Sequence, residues 1–246
     1  MSEQKTTQQP EQELSEQRRV RREKLAALQE EGFRVALDLP RGLFGMEQAL
    51  KQRLAEARDA GVTHVWAGNL GAAALAKELG MTVHGGFSLN VTNSAAIEWY
   101  AAFGLADTEL SFELALSAAA ALGGELPRGL VLYGRLPLML MENCVIKNRT
   151  GTCTCQTGTV RLVDRVGEEF PIVKDPGTCR NVLLNGKKLY LLDKKDAFRG
   201  MGLWALRLQF TTENPSEIDK VLMDYQGRAV FDAGSYTRGL YSRGVE

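Results

Sequence analysis

The four cysteines of the chain lie in a single stretch, at Cys144, Cys153, Cys155 and Cys179. Thiolates that are held close together are soft ligands, which suit zinc or an iron–sulfur cluster. In a reducing compartment, clustered cysteines bind metal or carry out redox chemistry more often than they form disulfides. The sequence therefore predicts that all four thiols hold one metal centre.

The spacing of the cysteines helps to distinguish the possible centres. Eight, one and 23 residues separate successive cysteines, which gives one tight pair and two single thiols. A structural zinc site more usually has two C-x₂₋₄-C pairs. The pattern favours a [4Fe–4S] cluster, with zinc and unliganded thiols as the alternatives. Nearby cations could offset the charge of the thiolates: Arg135, Lys147, Arg149 and Arg180.

A regular alternation of strands and helices precedes the cysteines. Five short apolar segments, from FRVALDL to GLVLYGRL, are separated by four helical segments at a spacing of ~20 residues, which is typical of βα units in a parallel sheet. A closed (β/α)₈ barrel needs eight strands. We therefore predict an α/β fold whose residues 32–143 form a partial, TIM-like (β/α) barrel, the carboxyl-terminal part of a longer protein.

The remaining segments differ in character. Residues 1–31 are rich in Gln, Glu and Arg, with a basic run from Arg18 to Lys24, and they predict an exposed helix or linker. Residues 144–200 carry the cysteines and short β-rich segments, with Asn185-Gly186 as a two-residue hairpin turn. Residues 201–246 predict a strand, a helix that starts near Pro215, and a glycine- and arginine-rich tail.

Polar residues follow several of the predicted parallel strands. The carboxyl ends of such strands line binding sites, so His84, Glu113 and Arg135 are candidate catalytic residues. Asn90, Asn93 and Arg135 are candidates for substrate binding. Two of them have a structural alternative: Asn93 is also placed to cap a helix, and Glu113 could form a buried ion pair with Arg135.

We predict that one histidine and four aromatic side chains pack in the core. His64 lies inside an apolar strand, as expected of a core histidine whose hydrogen bonds are satisfied. Trp99 and Phe103 are four residues apart, the spacing of one buried helix face. We assign no catalytic role to these two or to Trp66 and Tyr133.

Composition narrows the class of protein. Thirty basic residues balance 30 acidic ones, so the broad basic field of a protein that grips nucleic acid by its phosphates is absent. The sequence contains neither a signal peptide nor a run of ~20 apolar residues, and we expect a cytoplasmic protein without membrane contact. It also lacks the H-E-x-x-H and G-x-S-x-G motifs of common peptidases.

Six long segments, in order, resemble the collagenase-like peptidases, the unassigned peptidase family thirty-two. The resemblance covers the chain from about Phe33 onward. The segments are SLNVTNSAA (88–96), LSFEL (110–114), YGRLPLMLMENC (133–144), LVDRVGEEFPI (162–172), CRNVLLNGKKLYLLDK (179–194) and TRGLYSRGV (237–245).

This sequence departs from the family pattern in two ways. The amino-terminal half of the barrel that the family normally supplies has no counterpart here, so we expect a second chain or a missing N-terminal segment to complete it. The middle cysteines form C-x-C, where many members have C-x-x-C.

The resemblance implies two activities. The family name implies a peptidase acting on collagen-like or other proteins. Better-understood relatives resemble oxygen-independent hydroxylases, which carry a [4Fe–4S] cluster on four cysteines and modify RNA bases or the ring of a quinone precursor. We favour an iron–sulfur hydroxylase of an RNA base or small aromatic metabolite. A peptidase and a non-catalytic zinc- or cluster-binding subunit are the alternatives, so enzymatic activity itself stays open.

Overall fold

The computed structural model describes residues 8–152, 160–175, 179–198 and 200–239. The chain divides into two compact units, Met1–His84 and Gly85–Glu246. The helices are α1 (Gln8–Glu30), α2 (Glu47–Asp59), α3 (Leu70–Glu78), α4 (Ser94–Phe103), α5 (Leu116–Ala121), α6 (Val145–Thr150), α7 (Lys195–Phe198) and α8 (Pro215–Tyr225). The strands are β1 (Ala36–Asp38), β2 (His64–Ala67), β3 (Thr82–Gly85), β4 (Asp107–Glu109), β5 (Arg128–Gly134), β6 (Pro137–Met141), β7 (Val160–Val163), β8 (Glu169–Lys174), β9 (Asn181–Leu184), β10 (Lys188–Tyr190), β11 (Ala205–Gln209) and β12 (Tyr236–Thr237).

The first unit contains the strands β1, β2 and β3, side by side in that order. Strands β1 and β2 are parallel, as the alternating pattern predicts. The connecting helices bury small and aliphatic side chains, Leu50 and Leu54 on α2 and Ala73 on α3. Helix α3 starts where it does because the side chain of Asn69 accepts a hydrogen bond from Ala72 N at 3.1 Å.

Helix α1 matches the expected exposed helix. Arg19 lies between Glu16 and Glu23, one helical turn away on either side, and bonds to both carboxylates. Its side chain is 61% exposed, so these ion pairs contribute little stability. Arg19 therefore lies on a solvated face of α1. Among the described residues, no helix has both the length and the apolar character to cross a bilayer.

The second unit is centred on β5. Strands β4 and β11 both run parallel to β5, whereas β10 is antiparallel to it and parallel to β12. Leu132 and Tyr133 of β5 are completely buried, as expected of a central strand. The fold is therefore mixed α/β with mostly parallel strands in this sheet, and the described residues do not close into a barrel.

Gly134, at the end of β5, is the glycine whose replacement we expect to be most damaging. Its φ is +125°, and a Cβ atom there would collide with the backbone oxygen of Gln209 on β11. At Gly167 a Cβ would meet no atom within 4 Å, although φ is +87°. Positive φ costs alanine about 1–2 kcal/mol at either position. The collision should add at least about 1 kcal/mol at Gly134.

The comparison of Gly134→Ala with Gly167→Ala in urea unfolding measures that difference directly. The Gly134 variant should have the lower free energy of unfolding. Equal losses in the two variants would mean that β5 and β11 can separate without cost at this point.

A second sheet in the same unit carries the cysteine region. Its strand order is β6-β9-β8-β7, with all neighbours antiparallel. Three of these strands match β-rich segments expected from the sequence. Strand β6 was not predicted as a separate strand, because the apolar run there continues directly from β5 and only Arg135 and Leu136 divide the two.

The predicted hairpin at Asn185-Gly186 is wrong. Strand β9 pairs with β6 and β8, while β10 pairs with β5 and β12, so the two strands that flank the Asn-Gly pair belong to different sheets. Asn185 instead accepts a hydrogen bond from Lys187 N at 3.1 Å through its side chain, a local turn typical of asparagine. The dipeptide therefore redirects the chain from one sheet to the other.

The prediction that Trp99 belongs to the core is also wrong, since 51% of this residue is exposed. Trp99 and Phe103 do share one face of α4, and their rings stack at a centroid distance of 5.4 Å. That face points outward, while Ile97 is the fully buried side chain of the helix. The spacing of the two aromatic residues indicated their contact correctly but not the side of the helix that is buried.

Candidate functional site

Cys144 and Cys179, the two predicted ligands that the structure describes, are both free thiols. Cys144 is the N-cap of α6, and its Sγ accepts a hydrogen bond from Lys147 N at 3.4 Å. It is partly exposed, whereas Cys179 is exposed. Cys153 and Cys155 lie outside the described residues.

The register of the second sheet brings the segments of Cys144 and Cys179 together. Met141, the last residue of β6, pairs with Asn181, the first residue of β9. Cys144 follows Met141 by three residues, and Cys179 precedes Asn181 by two. Because neighbouring strands run antiparallel, the two cysteines stand at the same end of the sheet, although they are far apart in sequence.

Strand β7 starts at that same end. Its first residue, Val160, pairs with Ile172 of β8, and Lys174 at the end of β8 pairs with Asn181. Cys153 and Cys155 belong to the segment that joins Thr152 to Val160. The chain therefore enters β7 from the end of the sheet where Cys144 and Cys179 stand.

Two side-chain contacts fix the backbone around these thiols. Arg180, whose side chain is 5% exposed, donates to both carboxylate oxygens of Glu142 at 2.6 and 3.2 Å. Asn181, 1% exposed, accepts from Val145 N through its side-chain oxygen at 3.0 Å. These contacts therefore link the chain just after β6, next to Cys144, to the start of β9, next to Cys179.

The donor set fits a soft metal centre in its chemistry. Two thiols at one end of a small sheet are suitable ligands for zinc or iron, and Lys147 and Arg149 lie in the last turn of the adjoining α6. Within the described ranges, no group of three or more metal-ligating side chains occurs. A complete four-ligand site needs the two cysteines between Thr152 and Val160.

Comparisons with protein-family models, curated proteins and solved structures yield no significant match.

Arg135, predicted as a catalytic or substrate-binding residue, holds the turn between the two sheets. Its guanidinium Nη1 donates to the backbone oxygens of Asn185, at 2.9 Å, and Gly186. Its Nε donates to the hydroxyl of Thr212 at 3.4 Å. These contacts give the residue a structural role in positioning the Asn185-Gly186 turn, and a role toward substrate stays a prediction.

The other strand-end candidates of the second unit are Asn90, Asn93 and Glu113. The side chain of Asn93 caps α4 by accepting from Ala96 N at 2.8 Å, which confirms the capping alternative. Asn90 is exposed and left-handed, with φ of 54°. Glu113 is exposed, which contradicts its interpretation as part of a buried ion pair. Substrate contacts by Asn90 and Asn93, and a catalytic role for Glu113, stay predictions.

His84 lies in the first unit and is paired with His64. The Nδ1 of His64 and the Nε2 of His84 are 2.9 Å apart, so one ring donates a hydrogen bond to the other. The ring of Trp66 stacks on His84 at a centroid distance of 5.3 Å. This pairing agrees with the expectation that His64 is a satisfied, structural histidine, and it places His84 in the same bonded group.

A polar cluster on β4 and β11 was missed by the sequence analysis. Asp107 and Glu109 of β4 are 3% and 2% exposed. The indole N–H of Trp204 donates to Asp107 Oδ2 at 3.0 Å, and Arg207 donates to Glu109 Oε2 at 3.2 Å. One feature of the sequence could have revealed this cluster. Two acidic residues occupy alternate positions in a short strand of a predicted parallel sheet, and both faces of such a strand are normally apolar.

A second buried polar network joins β5, β10 and the turn before α8. The Glu213 carboxylate, with a fully buried side chain, accepts from Tyr133 Oη at 3.2 Å and forms an ion pair with Lys188 at 3.1 Å. It also accepts from the backbone N–H groups of Thr211 and Thr212 at 2.8 and 3.1 Å.

These contacts shift the pKa values of two groups. Burial opposes ionisation of Glu213, but the Thr211 amide and the Lys188 ammonium outweigh it and hold the pKa of Glu213 below its ordinary value. Burial and the neighbouring carboxylate raise the pKa of Tyr133. The network thus holds a neutral phenol and an ionised carboxylate side by side, with their hydrogen-bonding groups matched, as expected of a structural unit.

Proposed function

We propose that the protein is an iron–sulfur enzyme that hydroxylates an RNA base or a small aromatic metabolite with a hydroxylated organic co-substrate in place of molecular oxygen; that co-substrate gives up its hydroxyl group and is reduced by the two electrons that the new C–O bond releases. In this proposal Cys144, Cys153, Cys155 and Cys179 hold a [4Fe–4S] cluster. The observation that carries the proposal is the Met141–Asn181 register, which puts Cys144 and Cys179 at one end of the sheet. The entry of β7 from the same end supports the remaining two ligands.

The cluster would supply electron transfer, since such clusters cycle between oxidation states at potentials set by their surroundings. The role of this chain's residues would be to hold the cluster and limit its exposure. Arg180 and Asn181 fix the adjoining backbone through Glu142 and Val145. We also propose the cytoplasm as the location, since cysteines persist as thiolate ligands in reducing compartments.

We base the hydroxylase assignment on the resemblance to the collagenase-like peptidase family and on the thiol chemistry. The parallel-rich α/β sheet is compatible with a partial (β/α) barrel of that family. A zinc site would support the subunit alternative. Gelatin cleavage that survives replacement of the cysteines would support a peptidase.

We propose that the partner that completes the barrel, a second chain or an N-terminal segment, docks beside β1. In the strand order of the first unit, β1 is outermost, and among the described strands it pairs with β2 alone. A cleft of about 650 Å³ lies between α1, β1 and α2, with Leu25, Val35 and Leu37 among its lining residues. Charged side chains, Arg21, Arg53 and Glu56 among them, line the same cleft. An unpaired strand edge next to a cleft with both apolar and charged walls is a suitable place for an added strand.

Anaerobic purification followed by analysis of iron, acid-labile sulfide and zinc tests the proposal. We expect about four irons and four sulfides per chain, with a broad absorption shoulder near ~400 nm. One zinc without sulfide would contradict the cluster and make the site structural. A native mass of a single chain with full iron content would argue against an obligatory partner.

A further inference from the structure

The cleft between α1, β1 and α2 has an apolar floor that the chain covers only in part. Leu25, Val35 and Leu37 line this space of about 650 Å³, and each of the three is half-buried. Ala57 and Val62 complete the apolar lining. Partly covered apolar side chains stabilise a complex when the apolar groups of a partner shield them from water. The floor therefore favours an occupant that carries apolar side chains.

The charged lining of the same cleft has an excess of arginine. Its charged residues are Arg21, Arg22, Arg53, Glu56 and Asp59. The carboxylate of Asp59 is paired with Arg58, outside the lining, at 3.1 Å. The carboxylate of Glu56 accepts a hydrogen bond from Gln52 Nε2 at 3.3 Å. Both acids of the cleft thus have contacts within α2, and positive charge predominates.

Arg21 and Arg22 differ from Arg19, their neighbour on α1. Arg19 is bonded to Glu16 and Glu23 of its own helix. In the part of the chain that the structure describes, no acidic side chain pairs with Arg21 or Arg22, and both residues are exposed. Arginine pairs with a carboxylate through two parallel hydrogen bonds. A partner that brings carboxylates to this cleft would therefore supply what α1 does not.

Strand β1 determines how an added strand would face the cleft. Among the described strands, β1 pairs with β2 alone, so its outer edge can accept a strand through backbone hydrogen bonds. Leu37 lines the cleft, whereas Ala36 and Asp38 point to the opposite face of the sheet, because successive side chains alternate. Residues directly opposite each other in paired strands point to the same face. Every second residue of an added strand would thus enter the cleft beside Leu37.

We propose that the segment of the partner that docks beside β1 is an extended acidic stretch of polypeptide. Its apolar side chains would cover Leu25, Val35 and Leu37, and its carboxylates would pair with Arg21 and Arg22. The apolar floor favours such a segment over a nucleic acid, whose phosphates would pair with the arginines alone. This inference rests on the proposed function, because it names the chemistry of the partner expected there, but the binding itself does not involve the cluster.

Fluorescence anisotropy with labelled peptides and the full chain tests the inference. The first peptide, Glu-Thr-Val-Thr-Val-Thr-Glu-Thr, places two valines between two glutamates on one face of a strand. This face has the same order in both directions, so no strand orientation is assumed. The second peptide has Gln in place of both Glu, and the third has Ser in place of both Val. We expect saturable binding of the first peptide and about tenfold weaker binding of the other two.

Variants connect the binding to the two arginines. The double variant Arg21→Gln/Arg22→Gln should bind the first peptide about tenfold more weakly, with little change for the second. The matched control is Arg19→Gln, which removes an arginine of the same helix that does not line the cleft. The double variant Arg21→Glu/Arg22→Glu should prefer a fourth peptide, with Lys in place of both Glu, over the first. Such a reversed preference requires a folded cleft.

The outcomes are distinct from those of the iron analysis. Binding of the first peptide that depends on Arg21 and Arg22 but not on Arg19 supports the inference, whether or not the protein contains iron. It would be overturned by absence of saturable binding, by equal affinity for the first three peptides, or by a single-stranded oligouridylate that binds more tightly than the first peptide with the same dependence on the arginines. A native mass of two chains that the Arg21→Gln/Arg22→Gln variant reduces to one would assign the cleft to a second copy and also overturn it. A protein with four irons and no peptide binding would leave the proposed cluster standing and remove this inference alone.

Discussion

Replacement of Cys144 by serine is expected to reduce the iron content from about four per chain to near zero. Serine keeps a side-chain oxygen that can cap α6, the role that Sγ has toward Lys147 N, but it is a poor ligand for a cluster. The variant therefore separates ligation from capping. The measurement is iron and sulfide per folded chain after anaerobic purification, together with the absorption spectrum.

The same loss is expected for Cys179→Ala, because Cys179 is another proposed ligand, and its exposed side chain can be shortened with little effect on packing. Ser117→Ala, a small change on the exposed surface of α5, is the control and should retain the wild-type iron content. Full iron in both cysteine variants would show that other residues hold the iron. Loss of iron together with loss of secondary structure, measured by circular dichroism, would point to misfolding, which Cys144→Ser is designed to avoid.

Replacement of Glu213 by glutamine should destabilise the second unit by about 3–5 kcal/mol, the usual cost of removing one partner from a buried ion pair. Lys188, whose side chain is 14% exposed, would then keep its charge without the carboxylate. The two amides of Thr211 and Thr212 would lose an ionised acceptor. Urea unfolding at neutral pH measures the loss, and Glu125→Gln, at an exposed carboxylate, should change stability by less than about 0.5 kcal/mol.

The effect of Glu213→Gln should also depend on pH. The pKa of Glu213 is lowered in the folded protein, so its contribution is complete above the unfolded pKa of about 4.3 and is lost as the pH falls through the folded value. The difference between wild type and variant should therefore be constant from neutral pH to about pH 5 and shrink below about pH 4. A difference that grows on acidification would contradict an ionised, stabilising Glu213.

The sequence was a good guide where local periodicity and local chemistry agree. The βα alternation through residues 33–134, the capping of α4 by Asn93 and the start of α8 at Pro215 all follow from short-range patterns. The Asn214 and Glu217 side chains complete a capping box at α8, a signal contained within four residues.

The sequence was a poor guide to strand pairing where segments far apart in the chain compete for the same partner strand. Asn185-Gly186 has the composition of a hairpin turn, but β9 is already paired on both sides by β6 and β8, so β10 pairs with β5 instead. Strand β6 was hidden for a related reason: its partner β9 lies about 40 residues away. Pairing over such distances is decided by packing, which no local window contains.

The candidate site shows the same division. The number and clustering of the cysteines are visible in the sequence, whereas the meeting of Cys144 and Cys179 follows from a register that is not. Asp107 and Glu109 could have been singled out as acids in an apolar parallel strand, but their partners Trp204 and Arg207 lie almost 100 residues further on. Only the pairing of strands in the folded sheet brings these acids next to their partners.

The Met141–Asn181 pairing has a consequence for reassembly of the proposed cluster after it is lost. Small zinc-dependent domains collapse when their metal is removed, because metal binding is what folds them. Here the Cys144 and Cys179 segments are also joined by backbone pairing and by the Arg180–Glu142 contact, neither of which uses a cysteine side chain. We therefore expect that loss of the proposed cluster to oxygen would leave this part of the sheet folded, and that reconstitution with iron and sulfide would proceed from the native fold rather than from a denatured chain.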